Sequence, residues 1–357
     1  MNITKIIKEL QSVMNLEFDE RAKIFYKCKE KLEIEINNNP SNIQAFSLIA
    51  MINLELRNDT KISIEILKDC YNRNKNNMSK DEYCFWATNM AYLLSEEYEE
   101  VDKSIELLTK AIEYESKYDN TYYALGKLFF NKKNYREAIT LFNKAFEIFP
   151  HKVYKYNEAV SLIASNNKQE GIFQLKSIYT YPYKDEEIDG KIALLLGREL
   201  ALNEELEEGK KIIQLLLESS YESLEVEASE LAECMYILDD YHKCIKLYDK
   251  DKLYEDESWI GQYFYALKEA YSIDVAEKIM KDIERRIEEN ICEEEINYID
   301  WDSEEECKEY IDGEKDRLNK IKECYRQIVN GIKPFVEVNY DIFYKCYYIN
   351  CPRHYIE

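Results

Sequence analysis

Apolar and polar positions in this chain fall into paired blocks with helical spacing. The clearest block runs from Asp119 to Lys152 and has the core YYALGKLFFNKKNYREAITLFNKAFEIFP. Its apolar residues recur three and four apart in two stretches, the pattern of two amphipathic helices. Similar blocks follow one another roughly every 33 to 41 residues. Before them, Asn2–Val13 and Asp19–Asn37 read as an amphipathic pair ended by the Asn-Asn-Asn-Pro turn at 37–40. After them, Asp274–Asn290 reads as one helix. A second starts at Ser303, with Glu306 completing a capping box, and runs to Val329, before Gly331 and Pro334 break the pattern. Phe335–Glu357 alternates apolar and aromatic residues and fits either a short hairpin or an irregular segment along the helices.

Within each block two small residues keep a fixed separation. Ala50, Ala91, Gly126, Ala159, Gly197, Ala232 and Ala266 are followed by Ser63, Ser104, Ala138, Gly171, Gly209, Cys244 and Ala276, six pairs 12 or 13 apart and the last 10 apart. A large side chain at either point would push two crossing backbones apart, so the pairs predict seven close helix crossings, tightest at Gly126. A helix pair that cannot bury its apolar face alone must stack on its neighbours.

Residues 119–152 resemble the tetratricopeptide repeat (TPR) family. Tyr122, Leu125, Gly126 and Phe129 match its first helix, Ala138, Phe142 and Ala145 its second, and Pro150 its closing position. Asp102–Ile112 aligns with Arg136–Phe146 at an offset of 34, that family's period. The resemblance implies an all-α protein, a right-handed α-solenoid of about seven helix pairs with helical caps. The expected organisation is capping helices over 1–40, the array over 41–285, acidic helices over 286–331 and an aromatic tail over 332–357. A bacterial TPR protein, non-catalytic and cytoplasmic, is the corresponding expectation.

Composition agrees with this picture. Eight Gly and five Pro in 357 residues are too few for a protein with many tight turns, and 33% charged with 46% hydrophobic residues fits a folded chain. No stretch of 18 apolar residues exists, and Met1–Lys8 lacks the features of a signal peptide, so membrane partners are not expected. The ten cysteines are scattered and read as reduced thiols. Much of the net charge of −23 is concentrated: residues 204–240 hold twelve acidic and two basic side chains, and 293–317 hold twelve and three. Such acidity disfavours nucleic acid, whose phosphates need clustered Lys and Arg.

The TPR resemblance also implies a concave surface lined by the first helix of each repeat. Its second, fifth, ninth and twelfth positions correspond here to Asn120, Tyr123, Lys127 and Phe130, then Tyr156, Lys191, Arg198, Tyr236 and Tyr263. Aromatics beside cations suit a peptide or protein partner, with Lys127, Lys191 and Arg198 positioned for its carboxylates. The carboxylate-clamp class of chaperone receptors is excluded, because its ninth-position Asn is replaced by Met51, Tyr92, Lys127, Val160, Arg198, Glu233 and Leu267. No catalytic motif, Gly-rich phosphate loop or cofactor signature is present. Cys346, Cys351 and His354 have a spacing that suits three zinc ligands, with Cys324 or Cys307 as a fourth. Only Cys351 and His354 show the two-residue separation of zinc knuckles, so free thiols and no metal are expected. A protein-interaction scaffold is the leading expectation. An immunity or antitoxin protein covering a basic toxin, a peptide-sensing regulator and an assembly scaffold are the alternatives.

Overall fold

The computed structural model describes residues 2–57, 59–184, 186–203, 205–250, 257–297 and 301–354. Among these residues there is no strand; the chain is helical in two compact units, 1–178 with 340–357, and 179–339. The first unit holds α1 (Ile3–Gln11), α2 (Phe18–Asn38), α3 (Ile43–Glu55), α4 (Thr60–Asn74), α5 (Lys80–Glu96), α6 (Val101–Glu113), α7 (Asp119–Asn131), α8 (Tyr135–Ile148), α9 (Lys152–Ala164) and α10 (Lys168–Ile178). The second holds α11 (Glu186–Leu202), α12 (Leu206–Glu218), α13 (Ala228–Ile237), α14 (Tyr241–Lys250), α15 (Glu257–Ala270), α16 (Ile273–Ile296) and α17 (Glu304–Val329).

The helices start where side chains satisfy the orphan amides of a first turn. Asn2, Asn42 and Asp59 accept from Lys5, Ala45 and Lys61; Ser79 and Glu82 form a complete capping box. Ser303 accepts from Glu306 at the head of α17, as the sequence predicts. Helix α16 runs six residues past the expected Asn290, because Ile287 and Ile291 stay buried and no Gly or Pro interrupts it.

The first helix of a pair ends in left-handed backbone at Arg57, Glu99, Lys133, Asn166 and Asp239, with φ between 56° and 67°. Behind this kink the amides of Asn134, Asn167 and Asp240 reach back to the Phe129, Leu162 and Met235 carbonyls at 2.8–2.9 Å. That is the Schellman pattern, which closes the orphan carbonyls and turns the chain sharply into the second helix.

Every one of the fourteen small residues lies buried in its predicted helix, the first of each pair on α3, α5, α7, α9, α11, α13 and α15, the second on the helix that follows. In the first two pairs the small residue does more than save space. Ser63 Oγ donates to the Ala50 carbonyl at 2.8 Å and Ser104 Oγ to the Ala91 carbonyl at 3.1 Å. The Gly197/Gly209 crossing is tighter than Gly126/Ala138, which the sequence marks as the tightest. A Cβ on Gly209 would lie 2.7 Å from the Gly197 carbonyl oxygen, whereas one on Gly126 meets only side chains, the Phe142 ring and Leu141.

In the first unit α3 packs on α5 and α5 on α7, so the first helices form one continuous surface. The residues from Tyr340 onward belong to this unit. Their described part, residues 340–354, is an irregular, non-helical segment, not a hairpin.

Candidate functional site: a groove filled by the chain's own tail

The tail lies along the first helices in reverse order, from α9 to α3. Two asparagines fix it. Asn157 on α9 donates from Nδ2 to the Phe343 carbonyl at 3.0 Å, and its Oδ1 accepts the Phe343 amide at 2.7 Å. Asn89 on α5 does the same for Ile349, at 3.2 and 2.6 Å. Both asparagines stand two residues before the small residue of their helix, Ala159 and Ala91, and occupy equivalent places two 34-residue periods apart. Between them, Tyr123 on α7 accepts the Lys345 amide at 2.6 Å and donates to the Phe343 carbonyl at 3.2 Å. A segment with its amides and carbonyls held this way is recognised through its backbone, which every peptide shares.

Side chains supply the selectivity. Phe343 meets the Tyr156 ring edge-on at 6.4 Å. Lys345 pairs with Asp119 at 3.2 Å, donates to Tyr154 Oη and lies 4.7 Å over the Tyr154 ring. Tyr347 is buried, donating to Glu96 at 2.9 Å and sharing a hydrogen bond with Ser95. Tyr348 is buried against Tyr92 and donates to the Ser47 carbonyl at 2.7 Å. Arg353 pairs with the buried Glu55 on α3. Burial raises the pKa of the Tyr123, Tyr154, Tyr347 and Tyr348 phenols, so these hydroxyls remain donors throughout the neutral range.

Of the residues expected to line the groove, Tyr123, Lys127 and Tyr156 touch the tail. Lys127 is already paired with Glu96 at 2.6 Å and lies 5.0 Å over the Tyr344 ring. Phe130 packs on Tyr135, and Asn120 is half-buried in the first turn of α7. The others lie in the second unit. Lys191 pairs with Glu230 at 3.0 Å and Arg198 is buried on α11. Tyr236 donates to the Pro334 carbonyl at 2.9 Å, under Lys333, and Tyr263 donates to Asp249 at 2.6 Å. Sequence reasoning missed Asn89, Asn157, Glu96, Asp119 and Glu55. The signal available for the asparagines was their shared place in the repeat.

At the end of the tail Cys346, Cys351 and His354 bring their ligand atoms within 4.8 Å of one another. A hydrogen bond from Cys351 lowers the pKa of the Cys346 thiol against its burial, with His354 adding to the effect, while the same contact with Cys346 and burial raise the pKa of Cys351. Cys307 and Cys324 lie on α17, in the second unit.

Stacked helix pairs meeting at buried small residues define a helical-repeat solenoid, a class built to present a surface to other proteins. Residues 120–152 match the family model described as Tetratricopeptide repeat, so the chain carries a tetratricopeptide repeat there. No curated protein sequence matches it. Among solved structures it is similar to a tetratricopeptide repeat protein from Parabacteroides merdae ATCC 43184, at 12% identity over 79% of this chain and 98% of that one, TM-score 0.46. Yeast Tom70 is similar at 14% identity over 88% and 62%, TM-score 0.43, and MamA at 16% over 49% and 88%, TM-score 0.35. At these scores the likenesses carry nothing about function. Among the described residues no helix is long and apolar enough to cross a membrane.

Proposed function

We propose that the first unit is a receptor for an extended segment of a partner protein, and that residues 343–353 occupy it as an internal ligand. The observation that carries this is the pair Asn89 and Asn157, each holding both backbone groups of one tail residue. A grip on backbone alone transfers to any segment with the same extended form. The groove's chemistry narrows the segment further. Its acids Asp119, Glu96 and Glu55 face the tail's Lys345, Tyr347 and Arg353, so an aromatic and basic segment fits better than an acidic one. A tethered competitor lowers the apparent affinity for a partner until it is displaced.

The test uses a fluorescent peptide copying residues 340–354 and full-length chains. A chain with Phe343→Ser and Tyr348→Ser should bind the peptide at least about tenfold tighter than the wild type, because its own tail competes less. Adding Asn89→Ala and Asn157→Ala should abolish that binding. Equal binding by the wild-type and tail-substituted chains, or indifference to the two asparagines, overturns the proposal. The immunity alternative rests on the acidic blocks, of which Glu204 and residues 298–300 lie outside the described residues. Several of those acids already have short-range partners, Glu230 with Lys191, Asp239 with Lys333 and Asp240 with Lys243. The groove therefore ranks first.

A further inference from the structure

We propose that Cys346, Cys351 and His354 bind one zinc-class ion, and that this ion locks the tail into the groove. Two thiolates and an imidazole are the donor set that borderline-soft divalent ions favour. Bonds of about 2.3 Å to sulfur and 2.1 Å to nitrogen put tetrahedral ligand atoms roughly 3.6–3.8 Å apart. Cys351 Sγ and His354 Nδ1 are 3.7 Å apart here, and all three donors fall within 4.8 Å, so closure around an ion requires movement of about 1 Å.

The backbone brings the donors together. The Cys351 amide turns back to the Tyr348 carbonyl and the His354 amide to the Cys351 carbonyl, each at 3.2 Å, with Asn350 in left-handed conformation at φ 63°. Both flanks are anchored, by Tyr348 on Ser47 and by Arg353 on Glu55. A disulfide would use only the two sulfurs, whereas the imidazole beside them is a third donor that a cross-link does not need. The two cysteines are buried and His354 is exposed, which leaves the fourth coordination position toward solvent, for water or a partner's ligand. On binding, any proton held by the two sulfurs passes to buffer, and two sulfur–metal bonds and one nitrogen–metal bond form, with no change of oxidation state. An ion that binds only the docked geometry stabilises it by mass action. This locking limb rests on the groove proposal; the metal site itself does not.

Cobalt(II) titration of the reduced, chelator-treated full chain tests the site. One equivalent should produce a thiolate-to-cobalt charge-transfer band and strong tetrahedral d–d bands, bleached by added zinc. Cys346→Ser, Cys351→Ser and His354→Ala should each lose them, while the exposed-thiol control Cys292→Ser keeps them. Absent bands in the wild type, bands surviving in the Cys346→Ser/Cys351→Ser double variant, or a Cys346–Cys351 disulfide found by peptide mapping in the protein isolated without reductant overturns the site. Hydrogen exchange tests the lock. Zinc should slow the amides of 343–353 by at least about tenfold, and cobalt bands without slowed exchange overturn the lock while leaving the site standing.

Discussion

A Cβ placed on Gly209 would meet two backbone atoms, the Gly197 oxygen at 2.7 Å and the Ala201 nitrogen at 2.9 Å, and backbone has no rotamer through which to yield. Gly209→Ala should therefore cost about 3 kcal/mol, the upper end of overpacking, and Gly126→Ala about 1 kcal/mol, since the Phe142 ring is able to turn. Gly313, exposed within α17, has nothing within 4 Å, and Gly313→Ala should stabilise by up to about 1 kcal/mol through helix propensity alone. Urea unfolding of the three variants should return that order, and a stabilising Gly209→Ala would show that the crossing relaxes freely. The small-residue pairs were legible in sequence because hard-sphere contact admits few residue types. Which crossing is tightest was not, because it depends on what the opposing helix presents: a ring at Gly126, a carbonyl at Gly209.

Among elements, the tail is the least legible in the sequence. The sequence of Phe335–Glu357 fits either a hairpin or an irregular segment, because its alternation of aromatics suits both. What decides is contact with α3, α5, α7 and α9 at separations of 186 to 301 residues, which no local period encodes. Asn89 and Asn157 share a repeat position, yet in a chain rich in asparagine that coincidence does not stand out. Removing Asn89 leaves the Ile349 amide and carbonyl without that partner in a buried setting, and removing Asn157 leaves the Phe343 amide, whose carbonyl keeps Tyr123, each at about 1–3 kcal/mol. Asn89→Ala should release residues 346–353 and Asn157→Ala residues 341–345, each seen as faster hydrogen exchange confined to its own stretch, with the helices α5 and α9 unchanged. Uniform loosening of the whole unit would mean that the asparagines serve the helix stack rather than the tail.

For the whole molecule, the buried phenols set a limit at high pH. Tyr92, Tyr123, Tyr154, Tyr236, Tyr248, Tyr347 and Tyr348 all have pKa values raised by burial. The sign follows directly. Below the ordinary phenol pKa near 10, both states are neutral and stability is unaffected. Above it the unfolded chain ionises while the folded one does not, so stability falls by about 1.4 kcal/mol per pH unit for each such tyrosine. Unfolding by base should be abrupt above about pH 10, and a spectrophotometric titration should show these phenols ionising together with loss of helix. Gradual ionisation with the fold intact would mean that they are not sealed from water. The repeats were readable in the sequence, whereas the division into two units, with residues 340–357 joined to 1–178, was not, because it brings together residues far apart in the chain.

That division also has a consequence in time. The groove is made of residues 43–164, but its occupant is translated only after residues 179–339 have been added. At about 5–20 residues per second the ribosome takes roughly 10 to 30 seconds to cross that interval. Through it the nascent groove has no tail, and a partner segment of the kind proposed would then meet no rival for Asn89 and Asn157.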